Sequence, residues 1–405
     1  VLPHIASTFG VGLAGASLSV TIYMVSLAVF IPMSGWAGDR FGPRNVFCWA
    51  IAAFTLASVA CGLSPQFWMF IVARTIQGAA AAFMSPVGRV IVLRSAPKHE
   101  MVAAFGITVW PGLIAPIVGQ PIGGVIATYA SWEWIFYMNV PLGIIGIAMM
   151  LLFVDNRKED TTRRLDLFGL ALTAASLSAL LYGLDRLAHQ EPQLWLTVGL
   201  IVGGLVVGLA AIRHAHGHPY PLIDTTLARV PNFAATSIWG GTPFRVAMGA
   251  APFLLPLLFQ VGFGMTAFDA SLMMLAYAAG NLLMKAVTTA TIRRYGFRRI
   301  IVVTGLLVIL SFLSFALFVP GVPLTLILVA LAFAGVVRSL QFTALNTLAF
   351  ADIPHTGMSN ASALHAMVQQ ISFAFGIALG AVILSFSATL RGGAGAAIGV
   401  ADFQI

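Results

Sequence analysis

The sequence predicts an all-α membrane protein of two six-helix bundles with two extra helices between them, and three observations carry that prediction. Hydrophobic residues make up 59% of the 405 and charged residues 8%, against about 25% charged in a typical soluble domain. Apolar stretches long enough to cross a bilayer, which takes about 20 residues, follow one another along the whole chain. A charged turn and a second polar motif recur in the same order in its two halves. So much apolar surface requires a bilayer as solvent.

Twelve complete spans are expected, at 16–36, 46–63, 68–88, 101–127, 135–154, 167–187, 194–212, 233–260, 267–291, 299–319, 324–350 and 359–388. Val1–Phe9 is too short to cross and reads as the tail of a helix whose start is missing. Arg391–Ile405 reads as a Gly/Ala-rich loop that stops where another span could start. The loops carrying Arg40/Arg44, Arg94/Lys98, Arg157/Lys158/Arg163/Arg164, Arg213/Arg229 and Arg293/Arg294/Arg298/Arg299 hold fourteen basic residues, whereas the alternate loops hold two, Arg186 and Arg391. Basic loops stay cytoplasmic. The net charge of +8 therefore reflects topology and not nucleic-acid binding. The first complete span then runs inward, and a cytoplasmic N-terminus calls for one more helix before it. With the remnant counted first and an absent helix last, the total is fourteen. Cys48 and Cys61 lie in one span, too far apart to bond each other, and are expected as inert core residues.

The repeat supports this count. Asp39-Arg40-Phe41-Gly42-Pro43-Arg44 and Arg293-Arg294-Tyr295-Gly296-Phe297-Arg298 share one pattern, as do Arg74-Thr75-Ile76-Gln77 and Arg338-Ser339-Leu340-Gln341. The copies lie 254 and 264 residues apart, eight spans each time, and so keep one orientation. Parallel repeats of six helices separated by two would give this spacing. The expected domains are an N-terminal bundle at 1–154, two linker helices with cytoplasmic loops at 155–230, and a C-terminal bundle at 231–405.

With these motifs the chain resembles the major facilitator superfamily, specifically its fourteen-helix drug:proton antiporter branch of the EmrB/QacA type. Gly35 to Arg44 is similar to the superfamily's loop motif, and Arg74-Thr75-Ile76-Gln77-Gly78 to its motif in the fourth helix. The stretch with Gly112, Pro116, Gly119, Pro121, Gly123 and Gly124 resembles the antiporter motif of the fifth. Trp132 to Pro141 resembles a branch-specific segment in which an Arg usually stands in place of Glu133. The C-terminal half looks most similar to MdtD-like members. The resemblance implies the major facilitator fold and a secondary transporter, not an enzyme. It implies export of small amphipathic compounds, coupled to protons, by two halves that rock around a central cavity.

Each motif also has its own physics. Asp39, with Arg40 and Arg44, is expected to latch the halves in one state and release them in the other. In the second gating turn, Arg293 to Arg298, Arg293 stands where the first has Asp39, so that latch cannot work the same way. The glycines and prolines at 112–124 are a backbone device for close approach and bending, expected to gate and not to bind.

Charges within a membrane are costly and normally face a cavity or a partner. Arg74, Arg245 and Arg338 fall within spans that the resemblance places around the cavity, and are expected to bind substrate. Lys285 either snorkels or faces the cavity, and Arg89 is close enough to a span end to snorkel. Tyr23, Gln77, Trp110, Gln260, Asn346 and Gln369 are the further candidates for a pocket of apolar walls with few polar groups. All thirteen acids map to loops or helix ends. The resemblance puts a proton-carrying Asp just before the Val1-Leu2-Pro3 end. Within the sequence, His365 is the best titratable substitute, with Arg74 as its proposed coupling partner.

His214-Ala215-His216-Gly217-His218 sits in a predicted cytoplasmic loop without Cys or a carboxylate pair, so no metal is expected, nor any cofactor. The excess of intramembrane cations leaves open an alternative, a transporter of organic anions or metabolites. No catalytic motif suggests an intramembrane enzyme, and no pore-loop repeat suggests a channel. The expected partners are a small-molecule substrate, protons and lipid, for a monomer in the inner membrane of a bacterial cell.

Overall fold

A computed structural model describes residues 2–11, 13–95, 126, 130–156, 164–188, 193–354, 357–392 and 400–403. Thirteen helices organise them: α1 (Leu2–Phe9), α2 (Leu13–Phe30), α3 (Met33–Phe41), α4 (Pro43–Gly62), α5 (Phe67–Ser95), α6 (Trp134–Phe153), α7 (Leu167–Ala188), α8 (Leu194–Gly217), α9 (Pro231–Gly262), α10 (Ala267–Tyr295), α11 (Phe297–Phe315), α12 (Leu324–Ala349) and α13 (Met358–Gly392). Ten are long and apolar enough to cross a membrane, and an eleventh crossing is the bent pair α2–α3, kinked by 56°. The expected span at 101–127, with Trp110, Gly112, Pro116, Gly119, Pro121, Gly123 and Gly124, lies outside the described residues.

Three elements differ from the sequence expectation, each for a local reason. The span at 16–36 breaks at Ile31-Pro32, because Pro32 has no N–H to give the preceding turn, and helix resumes as far as Phe41. α8 continues to Gly217, since nothing breaks it before the Gly217-His218-Pro219 run, and this carries His214 and His216 onto its last turn. α9 is interrupted by π segments at Ala234–Trp239 and Leu258–Gly262, the wider turns that leave backbone carbonyls short of partners.

Helices cross closely where glycine removes the side chain. In α2·α5 the carbonyl of Tyr23 lies against Gly78, and in α10·α12 the carbonyl of Tyr277 lies against Gly335. α9 and α13 cross at Gly249 and Gly376. Packing by small residues is how helices associate where both solvent and side chains are apolar.

The turns of the repeat fold alike. Gly42 closes α3 with φ 85° and Gly296 closes α10 with φ 75°, a left-handed conformation that favours glycine. Both turns lie at the same end of the bundle, as the sequence expects. Ile292 packs with Leu340 and Ala344 toward the inner end of α12, and Gly35 meets Ser359 at the start of α13.

α7 and α8 form a hairpin, held by Ser176 Oγ donating to the Gly204 carbonyl at 2.8 Å. α7 packs on α2 from the first half and on α13 from the second, and the Thr21 hydroxyl of α2 donates to Asp185 of α7 at 3.1 Å. The linker pair therefore touches both halves along one side.

Candidate functional site

In the first half, α5 sets Arg74 and Gln77 one turn apart, facing α2, α4 and α6. Arg74 donates through Nε to the Ser19 carbonyl at 3.1 Å and through NH1 to Gln77 Oε1 at 2.6 Å, and its guanidinium lies 4.4 Å from the Tyr23 ring centroid. Gln77 in turn donates to Ser58 Oγ on α4 at 2.6 Å, which also receives Asn139 Nδ2 of α6 at 3.2 Å. Each polar group is thus held by another, which is what makes a buried charge tolerable.

The second half repeats the plan. Arg338 of α12 lies 5.2 Å from the Tyr277 ring of α10, and Gln341 accepts from the Thr304 hydroxyl of α11. Tyr277 follows Tyr23 by 254 residues, the same offset as the paired turns. That offset would have revealed Tyr277, which the sequence reading missed. Ser58 and Thr304 carry no comparable signal, since buried hydroxyls are common in apolar helices. Next to Arg338, Lys285 is buried and donates to the Thr343 hydroxyl, so it does not snorkel.

A second cluster lies deeper. Arg245, 1% exposed, donates to the carbonyls of Ser237 (2.9 Å) and Thr236 (3.2 Å), which the π segment of α9 leaves free. His365 of α13 is fully buried, with Nδ1 2.8 Å from Ser237 Oγ and Nε2 2.7 Å from Asn346 Oδ1. Asn346 Nδ2 donates to the Phe342 carbonyl, so Oδ1 must accept and His365 carries its proton on Nε2. Arg245 NH2, 3.5 Å from that nitrogen, then faces another donor. Arg89 of α5 joins this cluster instead of snorkelling. Its guanidinium lies 5.7 Å from the Phe350 ring, it is electrostatically coupled to Arg245 and His365, and its buried NH1 has no partner among the described residues. Arg338 Nε and Gln369 Oε1 are likewise buried and unpartnered.

Gln260 is separate from these groups. It is exposed and donates to the Pro256 carbonyl of its own helix at 3.2 Å. An apolar cavity of about 690 Å³ between α9, α11 and α13 holds none of the predicted binding residues. Its wall includes Ile309, Leu313 and Ile383, all largely exposed on the surface that faces lipid, and in the other half the matching helix α4 is covered by α6.

At the inner end the halves meet. Gly35 of α3 lies against Ser359 and Asn360, Ser362 Oγ donates to the Pro86 carbonyl at 2.9 Å, and Leu93 of α5 packs with Phe233, Phe350, Ile353 and Met358. At the outer end each half has its own cluster, around Phe70 and Trp132 in one and Phe259 and Phe318 in the other. Asp39 is buried beside this junction, lining a crevice with Trp36, Arg164, Tyr220 and Asn360. Arg40 is exposed over Trp36 and Phe41, and Arg44 NH1 donates to the Val154 carbonyl at 3.2 Å. Arg293 and Arg298 are exposed, so the second turn has no buried counterpart of Asp39.

Two half-bundles, each with an arginine over a tyrosine and packed together among the described residues where α3 meets α13, make a polytopic membrane protein built as a repeat. Comparison with known proteins places it further. The family model described as Major Facilitator Superfamily matches residues 1–377, and the chain belongs to that family. It is a multi-pass protein of the inner membrane. The curated proteins named multidrug resistance protein MdtD from Salmonella heidelberg (strain SL476) and Salmonella newport (strain SL254) are each 35% identical over 388 residues, covering 95% of this chain and 81% of theirs. Among solved structures, the proton:xylose symporter XylE bound to 6-bromo-6-deoxy-D-glucose aligns with TM-score 0.66 at 13% identity, covering 100% of this chain and 87% of that one. The human organic anion transporter MFSD10 aligns with TM-score 0.66 at 13% identity, covering 100% and 85%.

Proposed function

We propose that this chain is a proton-coupled exporter of small amphipathic compounds that works by alternating access. The observation that carries the reading is the inner junction between two halves built on one plan. Among the described residues the halves pack at the end where α3 meets α13, and rocking about the arginine–tyrosine level would open that end and close the other. The name of the MdtD relatives supports an amphipathic drug-like substrate. Tyr23, Arg74, Gln77, Arg338 and Asn346, with Trp110 and Gln369, would line the substrate path.

Proton coupling falls to His365, with Arg74 as a second charged group of the coupling. With a neutral imidazole, Ser237 donates to Nδ1 and Nε2 donates to Asn346. Protonation turns Nδ1 into a donor, reverses the Ser237 bond and adds a positive charge beside Arg245 and Arg89. That loosens the contact among α9, α12 and α13 on the closed side.

A second reading, transport of organic anions or metabolites, is favoured by one observation. Among the described residues Arg89 NH1 and Arg338 Nε are buried donors with no partner, which a carboxylate would satisfy. The test is uptake into inside-out proteoliposomes under an imposed pH gradient, with a lipophilic dye cation and a fluorescent carboxylate in parallel. Gradient-dependent accumulation of the cation supports export of amphipathic compounds. Accumulation of the carboxylate alone supports the second reading. Transport of either that persists after a protonophore collapses the gradient refutes proton coupling.

A further inference from the structure

The His214–His218 run, unpromising as a loop, changes character once α8 is seen to reach Gly217. Residues 214 and 218 fall one helical turn apart on the same side, while His216 points away, exposed, with Nδ1 2.8 Å from the Ile212 carbonyl of its own helix. The chain then supplies a carboxylate from elsewhere. Asp166, buried just before α7, lies with Oδ1 and Oδ2 3.0 and 3.1 Å from His214 Nε2. The rings of His214 and His218 sit 5.1 Å apart, and the Tyr220 amide donates to His218 Nδ1 at 3.2 Å, which fixes that ring in place. One ligand atom from each of Asp166, His214 and His218 lies within 4.8 Å of the others.

We propose that Asp166, His214 and His218 form a binding site for a borderline divalent ion such as Zn²⁺. The donor set is two imidazoles and one carboxylate, which suits zinc and its neighbours and not the all-oxygen preference of Mg²⁺ or Ca²⁺. Bonds of about 2.0–2.1 Å at tetrahedral angles separate ligand atoms by about 3.4 Å. The Asp166–His214 pair needs to open by only a few tenths of an ångström, the ion taking the place of the shared proton. Three protein ligands leave a fourth position for water. The Gly169 amide, donating to Asp166 Oδ1 at 2.7 Å, already orients the carboxylate as an outer partner should.

The location gives the site a consequence. An ion there ties the start of α7 to the end of α8 and to the connector that follows. That connector, through Tyr220 and Leu222, shares the crevice wall with Asp39 and Asn360 at the inner junction. Metal binding would therefore stiffen the linker hairpin beside the closing contact between the halves.

The test uses the full chain purified without a polyhistidine tag and stripped with chelator, titrated calorimetrically with ZnCl₂ and, separately, with MgCl₂. One Zn²⁺ per chain and no Mg²⁺ response are expected, with His218→Ala and His214→Ala each weakening zinc by at least about tenfold and His216→Ala leaving it unchanged. His218 is only partly buried, so a melting temperature close to wild type certifies that its variant is folded. Equal loss in His216→Ala would mean adventitious binding to surface histidines. Either that result, undiminished binding in the His214→Ala/His218→Ala double variant, or no saturable binding by the wild-type chain overturns the site.

Discussion

Replacing Gly35 by valine tests the inner junction at its tightest point. A Cβ at position 35 would stand 3.0 Å from the Ser359 carbonyl oxygen, 3.1 Å from Asn360 Oδ1 and 3.2 Å from the Ser359 carbonyl carbon. Two of these are backbone atoms that cannot rotate away, and valine adds two methyl groups beyond the Cβ. Overpacking of this kind costs about 1–3 kcal/mol. Only the state in which α3 touches α13 bears that cost, so the ratio of inner-closed to inner-open chains should fall roughly 5- to 150-fold. The assay is the rate at which a membrane-impermeant maleimide labels Ser359→Cys in inside-out vesicles, in a background lacking Cys48 and Cys61. Ser359 is 2% exposed when the junction is closed, so labelling should be slow in the parent and faster by that factor in Gly35→Val. Gly199→Val is the control, because nothing lies within 4 Å of a Cβ there. Equal labelling in the parent and in Gly35→Val would refute the closing contact.

Arg74→Ala leaves Gln77 Oε1 without its donor, at about 1–3 kcal/mol for a buried group, and removes a second bond from the Ser19 carbonyl. Thermal unfolding in detergent should show a larger loss than for Arg338→Ala, which gives up chiefly its stacking on Tyr277, about 0.5–2 kcal/mol, while both variants lose transport. Asp166 titrates outside the membrane. Burial pushes its carboxyl upward, but the Gly169 amide, His214 and the Leu222 amide outweigh that and hold it below the usual carboxylate range. Because the folded value is the lower one, its stabilising contribution is complete above the unfolded pKa of about 3.9 and disappears as pH falls through the folded value. Melting curves of wild type and Asp166→Asn should therefore differ near neutral pH and converge as pH falls through the folded value.

The architecture was largely legible because a membrane removes most alternatives. Apolar length gave the spans, and the paired motifs at Arg40 and Arg293 gave the repeat. What the sequence concealed depends on which side a helix turns and where it breaks. The π segment at Ala234–Trp239 has no sequence signature, yet it exposes the carbonyls that hold Arg245. Arg89 lies near a helix end, where snorkelling is the usual outcome, and only the folded structure shows its guanidinium against Phe350 at the end of α12. Gln260, polar in an apolar helix, suggested a pocket but turns outward. His214 and Asp166 are 48 residues apart, and no local pattern announces that they meet.

Alternating access itself is tested most directly by locking the junction. A Cβ at Gly38 would lie 3.8 Å from Ser359 Oγ across the halves, close enough for Gly38→Cys and Ser359→Cys to bridge with little backbone movement. In a background without Cys48 and Cys61, oxidation should link the pair and stop transport in proteoliposomes, and reductant should restore it. A linked protein that still transports at the full rate would contradict the account.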